Sequence, residues 1–436
     1  MTPGARESPP MGLILPFFLV APLGLIAAGV MLALADRDSL TSVTTPKLLA
    51  ATHAAALGWL TLSIMGALFQ LGPVIFGGRL LSTRLIRLQL VLHIAGVSVM
   101  VVSFGAWRTE TLALGGLATS ASFALFLLNA AFAVRWFARG SLTRNYISTA
   151  LVFVVATASL GLTYAMALHH GWFPLTAGRV AAHAHLGLAG FLALTLMGVS
   201  YQLVPMFQLS PHGEPRFGRV VLPWMAVATV IFAAVMSASP GPPVRLFAAG
   251  LLACGAVMWI VDTSGTIQHR AKRTFDIQGR ATILSLMFLV LAVILGFVAA
   301  SGRPVNLAVY HQRLQLGYAI LAIGGWAGAT LVGNSFKIVP FLVWNGRFRP
   351  LAGRQPVPTL AQLLNVRLAN LTLWCLTAAV CVGAASAVAG SLAGLHLAGL
   401  MFVAAGALHF ATQALVAARR PAVPSPSPAP PERILT

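Results

Sequence analysis

The sequence predicts an all-α polytopic membrane protein with twelve transmembrane helices, and three observations predict it. Hydrophobic residues fill 58% of the 436 positions and charged residues 8%, far from the balance of a soluble domain. Apolar stretches long enough to cross a hydrocarbon core of about 30 Å recur twelve times along the chain. Basic residues gather at alternate connections between those stretches, as membrane topology requires.

Taken in order, the expected spans are 12–35, 47–76, 86–107, 111–137, 144–168, 180–208, 219–238, 244–262, 281–301, 312–344, 368–390 and 392–417, with Gly390 and Gly394 giving a tight turn between the last two. With the N-terminus inside, 21 of the 28 Lys and Arg residues fall on inner segments, so an inner (cytoplasmic) membrane location with both termini cytoplasmic is expected. The expected organisation is a cytoplasmic tail over 1–11, a membrane domain over 12–417 and a disordered proline-rich cytoplasmic tail over 418–436. The first span is too long for a cleaved signal peptide, so the chain is expected to keep its N-terminus.

The net charge of +20 follows from this topology and adds affinity for anionic lipid. The lipid bilayer is therefore the expected partner, and a nucleic-acid role, which needs a soluble basic face, is not expected. Cys254, Cys375 and Cys381 form no metal-binding spacing and are expected as buried thiols. All eight acidic residues fall in tails, loops or expected helix ends. With no carboxylate expected in mid-membrane, proton-driven transport is not expected, and histidine is left as the main titratable and ligating side chain.

The second, sixth and tenth spans repeat one pattern. "HAAALGWLTLSIMGALFQLGPV" begins at His53 and "HLGLAGFLALTLMGVSYQLVPM" at His185. Each carries Gly five residues on (Gly58, Gly190), an aromatic at six (Trp59, Phe191), Gly at thirteen (Gly66, Gly198), an aromatic at sixteen (Phe69, Tyr201), Gln at seventeen (Gln70, Gln202) and Pro at twenty (Pro73, Pro205). The tenth span follows with Gly325, Trp326, Gly333, Phe336 and Pro340, but has Lys337 for the Gln and Ile320 for the His. A matched helix every fourth span predicts three four-helix units with pseudo-threefold symmetry, the repeated helices innermost, with the glycines allowing close helix approach.

"HAHLGLAGF", from His183, followed by "GVSYQLVP", resembles the HxH helix of subunit I of the haem-copper oxidase superfamily, especially its cbb3-type and nitric oxide reductase branch. That resemblance implies twelve helices in three arcs of four, a low-spin haem with a ligand on the second helix where His53 stands, and a redox partner such as a cytochrome or quinol. The chain departs from the family in placing HxH on the sixth helix and in having no His on the seventh, so a bound copper would lack a full ligand set. A weaker resemblance is to the NnrS-like membrane haem-copper proteins linked to nitric oxide resistance.

Residues two apart on an α-helix lie about 200° apart, so His183 and His185 are expected to serve different sites. His185 shares the repeat position and depth of His53, which predicts bis-imidazole ligation of one haem by His53 and His185, with His183 facing a second haem or a metal. His396, at similar depth on the last helix, is a third candidate metal ligand. His311 is expected at the outer interface, His169 and His170 in a solvated loop, and His93 and His409 as core residues. Lys337 fits either a residue reaching for the membrane edge or the inner end of a proton path.

Satisfied core histidines remain the structural alternative for His53 and His185. Two function classes stand: a membrane haem protein for electron transfer or for binding a small gas such as nitric oxide or oxygen, and a transporter whose path is lined by histidines with Gln70, Gln202 and Lys337.

Overall fold

The computed structural model describes residues 9–135, 141–211, 215–301 and 308–421; of the tails expected over 1–11 and 418–436, residues 1–8 and 422–436 lie outside the described residues. Among the described residues twelve helices are long and apolar enough to cross a membrane: α1 Met11–Ala33, α2 Pro46–Phe76, α3 Thr83–Gly105, α4 Thr109–Ala133, α5 Leu142–His170, α6 Ala177–Gln208, α7 Gly218–Ala238, α8 Pro242–Gln268, α9 Ile277–Ala300, α10 Val309–Leu351, α11 Val366–Ala389 and α12 Leu392–Ala418. No strand occurs among the described residues. The chain is thus an all-helical protein with the architecture of a multi-pass membrane protein.

Local chemistry sets the boundaries. Ser82, Ser141, Thr176, Asp276 and Ser391 cap the N-termini of α3, α5, α6, α9 and α12 with side-chain oxygens, which satisfies amide donors that have no partner within the helix. At the end of α11, Gly390 takes φ +71°, a left-handed conformation open to glycine, and so α11 and α12 remain separate.

Two expectations are corrected. Helix α8 runs to Gln268 rather than stopping at 262, which places Asp262 inside it. The carboxylate is tolerated there because it accepts the Phe217 amide at 3.1 and 3.0 Å and the Tyr201 hydroxyl at 3.1 Å, so its lone pairs are met by α6 and by the start of α7. The cysteines are not buried: Cys254 and Cys381 lie exposed on the outer faces of α8 and α11, and Cys375 is half-buried. An apolar thiol meets lipid at little penalty.

Each helix packs on its neighbour in the chain, and α12 closes back on α1. Helices α2 and α10 are the most enclosed, with α6 and α1 next. Beyond those neighbours α2 reaches α4, α6 reaches α8 and α10 reaches α12, while α10 also touches α2 and α6. Without a hydrophobic drive between helices in lipid, close contact of small residues supplies the attraction, and the repeat glycines provide it. A Cβ on Gly66, Gly198 or Gly333 would collide with the side chain of Phe17, Tyr146 or Ala281, and one on Gly190 or Gly325 with Phe153 or Phe288. Gly58 lies against Gly24. Each repeated helix therefore seats both its glycines on the helix preceding it, at two sites seven residues apart: 17 and 24, 146 and 153, 281 and 288.

Each of these three helices also opens into a π-helical turn at the same repeat position: Ala54–Thr61, Leu186–Ala193 and Ile320–Ala327. Such turns widen the helix and redirect carbonyls. In α2 the Leu57 carbonyl accepts both the Leu62 amide and the His93 Nε2–H, the latter at 3.1 Å.

Candidate functional site

His53 ends the regular first turns of α2, and its Nδ1–H donates to the Leu49 carbonyl at 2.8 Å. His185 ends those of α6, and its Nδ1–H donates to the Ala181 carbonyl at 2.8 Å. A carbonyl only accepts, so in both rings the proton sits on Nδ1 and the lone pair on Nε2 points away from its own helix. Backbone geometry thus fixes tautomer and orientation together, the arrangement in which a neighbouring backbone group prepares an imidazole for ligation.

What each ring meets differs. The His53 ring lies 6.4 Å from the His183 ring, centre to centre, with planes 18° apart. Phe104 stacks on the His53 ring at 4.6 Å with planes 27° apart. His183 lies 6.0 Å from the ring of Tyr164 and directly over Gly161, where a Cβ would come 2.8 Å from His183 Cε1. Both Tyr164 and Gly161 belong to α5. Ala54, Val97, Met100, Leu112 and Ala165 belong to the apolar cluster packed around this end of α2, α3, α4 and α5.

His185 faces elsewhere. Its ring packs on Phe232 of α7 at 4.2 Å and lies parallel to Tyr318 of α10, 5.8 Å away with planes 4° apart. The Tyr318 hydroxyl donates to His185 Nε2 at 3.2 Å.

His183 and His185 do serve different surroundings, but the expected pairing of His53 with His185 is not the one the fold makes. His183, two residues earlier, meets His53. The physical reason is rotational: His53 and His185 each face the next repeated helix around the bundle rather than each other. A side chain at the repeat position of one helix therefore meets the residue two before that position on the next, His53 against His183 and His185 against Tyr318. Tyr318 stands two before Ile320 as His183 stands two before His185. That shared offset is the signal that could have found Tyr318 from sequence; Phe104, Tyr164 and Phe232 carry no comparable mark.

The structure does not bring His396 to this pair: its Nε2–H donates to the Ala35 carbonyl just beyond the end of α1 at 2.8 Å. Among the described residues no three His, Cys, Asp or Glu side chains gather as a metal site. His93 is a satisfied core histidine, held by Ser122 at 3.0 Å and by the Leu57 carbonyl. His409, fully buried, meets Ser335 at 3.0 Å and Gln413 at 3.1 Å. Lys337 pairs with Asp276 at 2.6 Å, and Lys272 reaches the same carboxylate oxygen at 2.6 Å. Compared with models of protein families the chain matches none, and compared with curated proteins it likewise matches none.

Proposed function

We propose that this is a membrane haem protein in which His53 and His183 would hold one haem between them, and that its work is electron transfer. The separation of those two rings carries the assignment. Metal–nitrogen bonds of about 2 Å, plus about 1.1 Å from each nitrogen to its ring centre, separate two imidazoles sharing one metal by about 6.2 Å. The observed 6.4 Å between the ring centres is compatible with that span. The donor set fits as well: His53 offers a preset Nε2, and the surrounding wall is apolar.

When bound, the haem supplies one-electron chemistry. The chain's residues determine how it is used. The Leu49 carbonyl makes the His53 imidazole a better donor by drawing on its Nδ1 proton. Phe104, Met100 and Val97 keep water from the rings. Held by both His53 and His183, a haem would favour electron transfer over gas binding and would call for a redox partner, a cytochrome or a quinol, near this end of the bundle. The resemblance of His53 to the second-helix haem ligand of the haem-copper oxidases supports the same assignment, with no copper ligand set to add to it.

Three four-helix units, α1–α4, α5–α8 and α9–α12, related by pseudo-threefold symmetry, account for the frame. What supports them is the recurrence of the π turns, the glycine seats seven residues apart and the offset between facing side chains. The basic-residue pattern supports a topology with both termini in the cytoplasm, which would put the haem near the outer face of the inner membrane.

The test is a reduced-minus-oxidised visible spectrum with haem quantification on the purified protein. Wild type is expected to show a sharp α-band, His53→Ala and His183→Ala to lose it, and His185→Ala to keep it. A colourless protein expressed with full haem supply would sink the proposal and leave the transporter. A band lost in His185→Ala but kept in His183→Ala would restore the pairing expected from sequence.

A further inference from the structure

At the end where the even-numbered helices finish, positive charge outruns its partners. Among the described residues the ion pairs join Lys47 to Asp36 and join Lys272 and Lys337 to Asp276. Arg419 and Arg420, at the end of α12, pair with no carboxylate among the described residues. Both line a cavity of about 210 Å³ formed with the end of α10 and the connection to α11, where Gln355, Gln362, Phe348 and Leu363 complete the wall together with three prolines.

That cavity is braced from the protein side. Arg347 Nη1 donates to the carbonyls of Ala417 at 2.6 Å and Arg419 at 2.5 Å, so a guanidinium caps the negative end of α12. Trp344 Nε1 donates to the Pro358 carbonyl at 2.8 Å and ties down the opposite wall. At Arg419 the backbone turns extended, with φ −59° and ψ 127°, and the two arginines leave the helix beside the opening. On the membrane side of them Phe410 and Leu415 are exposed at the two edges of the outward side of α12, about 140° apart around its axis. Two cationic forks above an apolar helix face, with amide side chains between, match a phosphate whose ester carries acyl chains.

We propose that this cavity binds the phosphate headgroup of an acidic phospholipid, held by Arg419 and Arg420, with its chains lying along Phe410 and Leu415. The site is separate from the His53 and His183 pair and does not depend on haem. A zwitterionic lipid offers the same phosphate but brings a cation with it, which the arginines repel; hence the preference for an acidic headgroup.

The full chain would be placed in nanodiscs of phosphatidylcholine containing phosphatidylglycerol, then extracted, and the retained lipid counted by native mass spectrometry. Wild type is expected to retain phosphatidylglycerol selectively. Arg419→Ala with Arg420→Ala is expected to lose that selectivity by roughly tenfold or more, Arg419→Lys with Arg420→Lys to keep most of it, and Arg354→Ala, outside the cavity, to keep all of it. Should the double alanine variant not be recovered folded, Arg420→Gln, a change at one exposed side chain, makes the same comparison. Undiminished selectivity without the arginines, or equal loss in Arg354→Ala, overturns the site in favour of diffuse surface attraction. Displacement of the lipid by inorganic phosphate at equal concentration overturns the lipid as its occupant.

Discussion

The two faces of α6 hold side chains two residues apart in matched frames. Toward α2, His183 meets His53 at 6.4 Å; toward α10, His185 meets Tyr318 at 5.8 Å. His53 and His185 are held alike, each by a carbonyl four residues back at 2.8 Å, so the difference lies in the facing residue alone. An imidazole opposite gives two rings that, on the proposed function, would share one metal. A phenol opposite gives a donor, and Tyr318 spends its proton on His185 Nε2. One difference on a common scaffold thus separates two facing imidazoles from a closed hydrogen bond.

The largest effect should come from converting the second face into the first. Tyr318→His presents an imidazole to His185 and is expected to add a second bis-imidazole haem, raising the haem-to-protein ratio and adding a second low-spin signal in electron paramagnetic resonance. Tyr318→Phe removes only the hydroxyl and should leave the spectrum of the first site unchanged. An unaltered haem content in Tyr318→His would show that the two faces are less alike than their ring geometry suggests.

A smaller effect should follow from crowding the first face. Because a Cβ on Gly161 would come 2.8 Å from His183 Cε1, Gly161→Val must push the ring aside, with overpacking of this kind destabilising by about 1–3 kcal/mol. Haem content should fall by about tenfold or more. Gly116→Ala on α4, whose added Cβ meets nothing nearer than 3.5 Å, should leave it unchanged. Equal haem retention in both variants would remove His183 from the site.

Most of this frame was legible in the sequence, and the part that was not has a definite cause. The twelve spans, the enclosed repeat helices and the seating of their glycines follow from hydropathy and from a period of four helices, because lipid imposes length and small residues impose contact. The divergence of His183 and His185 follows from 100° per residue. Which of them meets His53 depends on the rotation of α6 about its own axis relative to α2, and no periodicity within one helix fixes that. Matching depth therefore pointed to His185, whereas the ring beside His53 is that of His183. Asp262 was misplaced for a related reason: its partners, Tyr201 and the Phe217 amide, come from other helices, and their presence lets α8 continue past it.

The smallest effect belongs to the opposite end of the bundle and decides the role of Lys337. Asp276 caps α9 by accepting the Gly279 amide at 3.0 Å and binds Lys272 and Lys337. Burial by itself would raise its carboxyl, but the hydrogen bonds from Lys272, Lys337 and Gly279 outweigh that and hold it at about 2. The ordinary value in an unfolded chain is about 3.9. A folded value below the unfolded one means that the stabilisation is complete above about pH 4 and is lost as pH falls from 4 toward 2. Lys337→Met removes one of the two cations from a partly exposed pair, so it should destabilise by about 1 kcal/mol or less at neutral pH. Thermal melts of variant and wild type should differ slightly at pH 7 and converge near the acid limit, with the haem α-band unaffected in both. If instead the melts coincide at every pH while proton uptake coupled to haem reduction slows in the variant, Lys337 is the inner end of a proton path and its bond to Asp276 is incidental to stability.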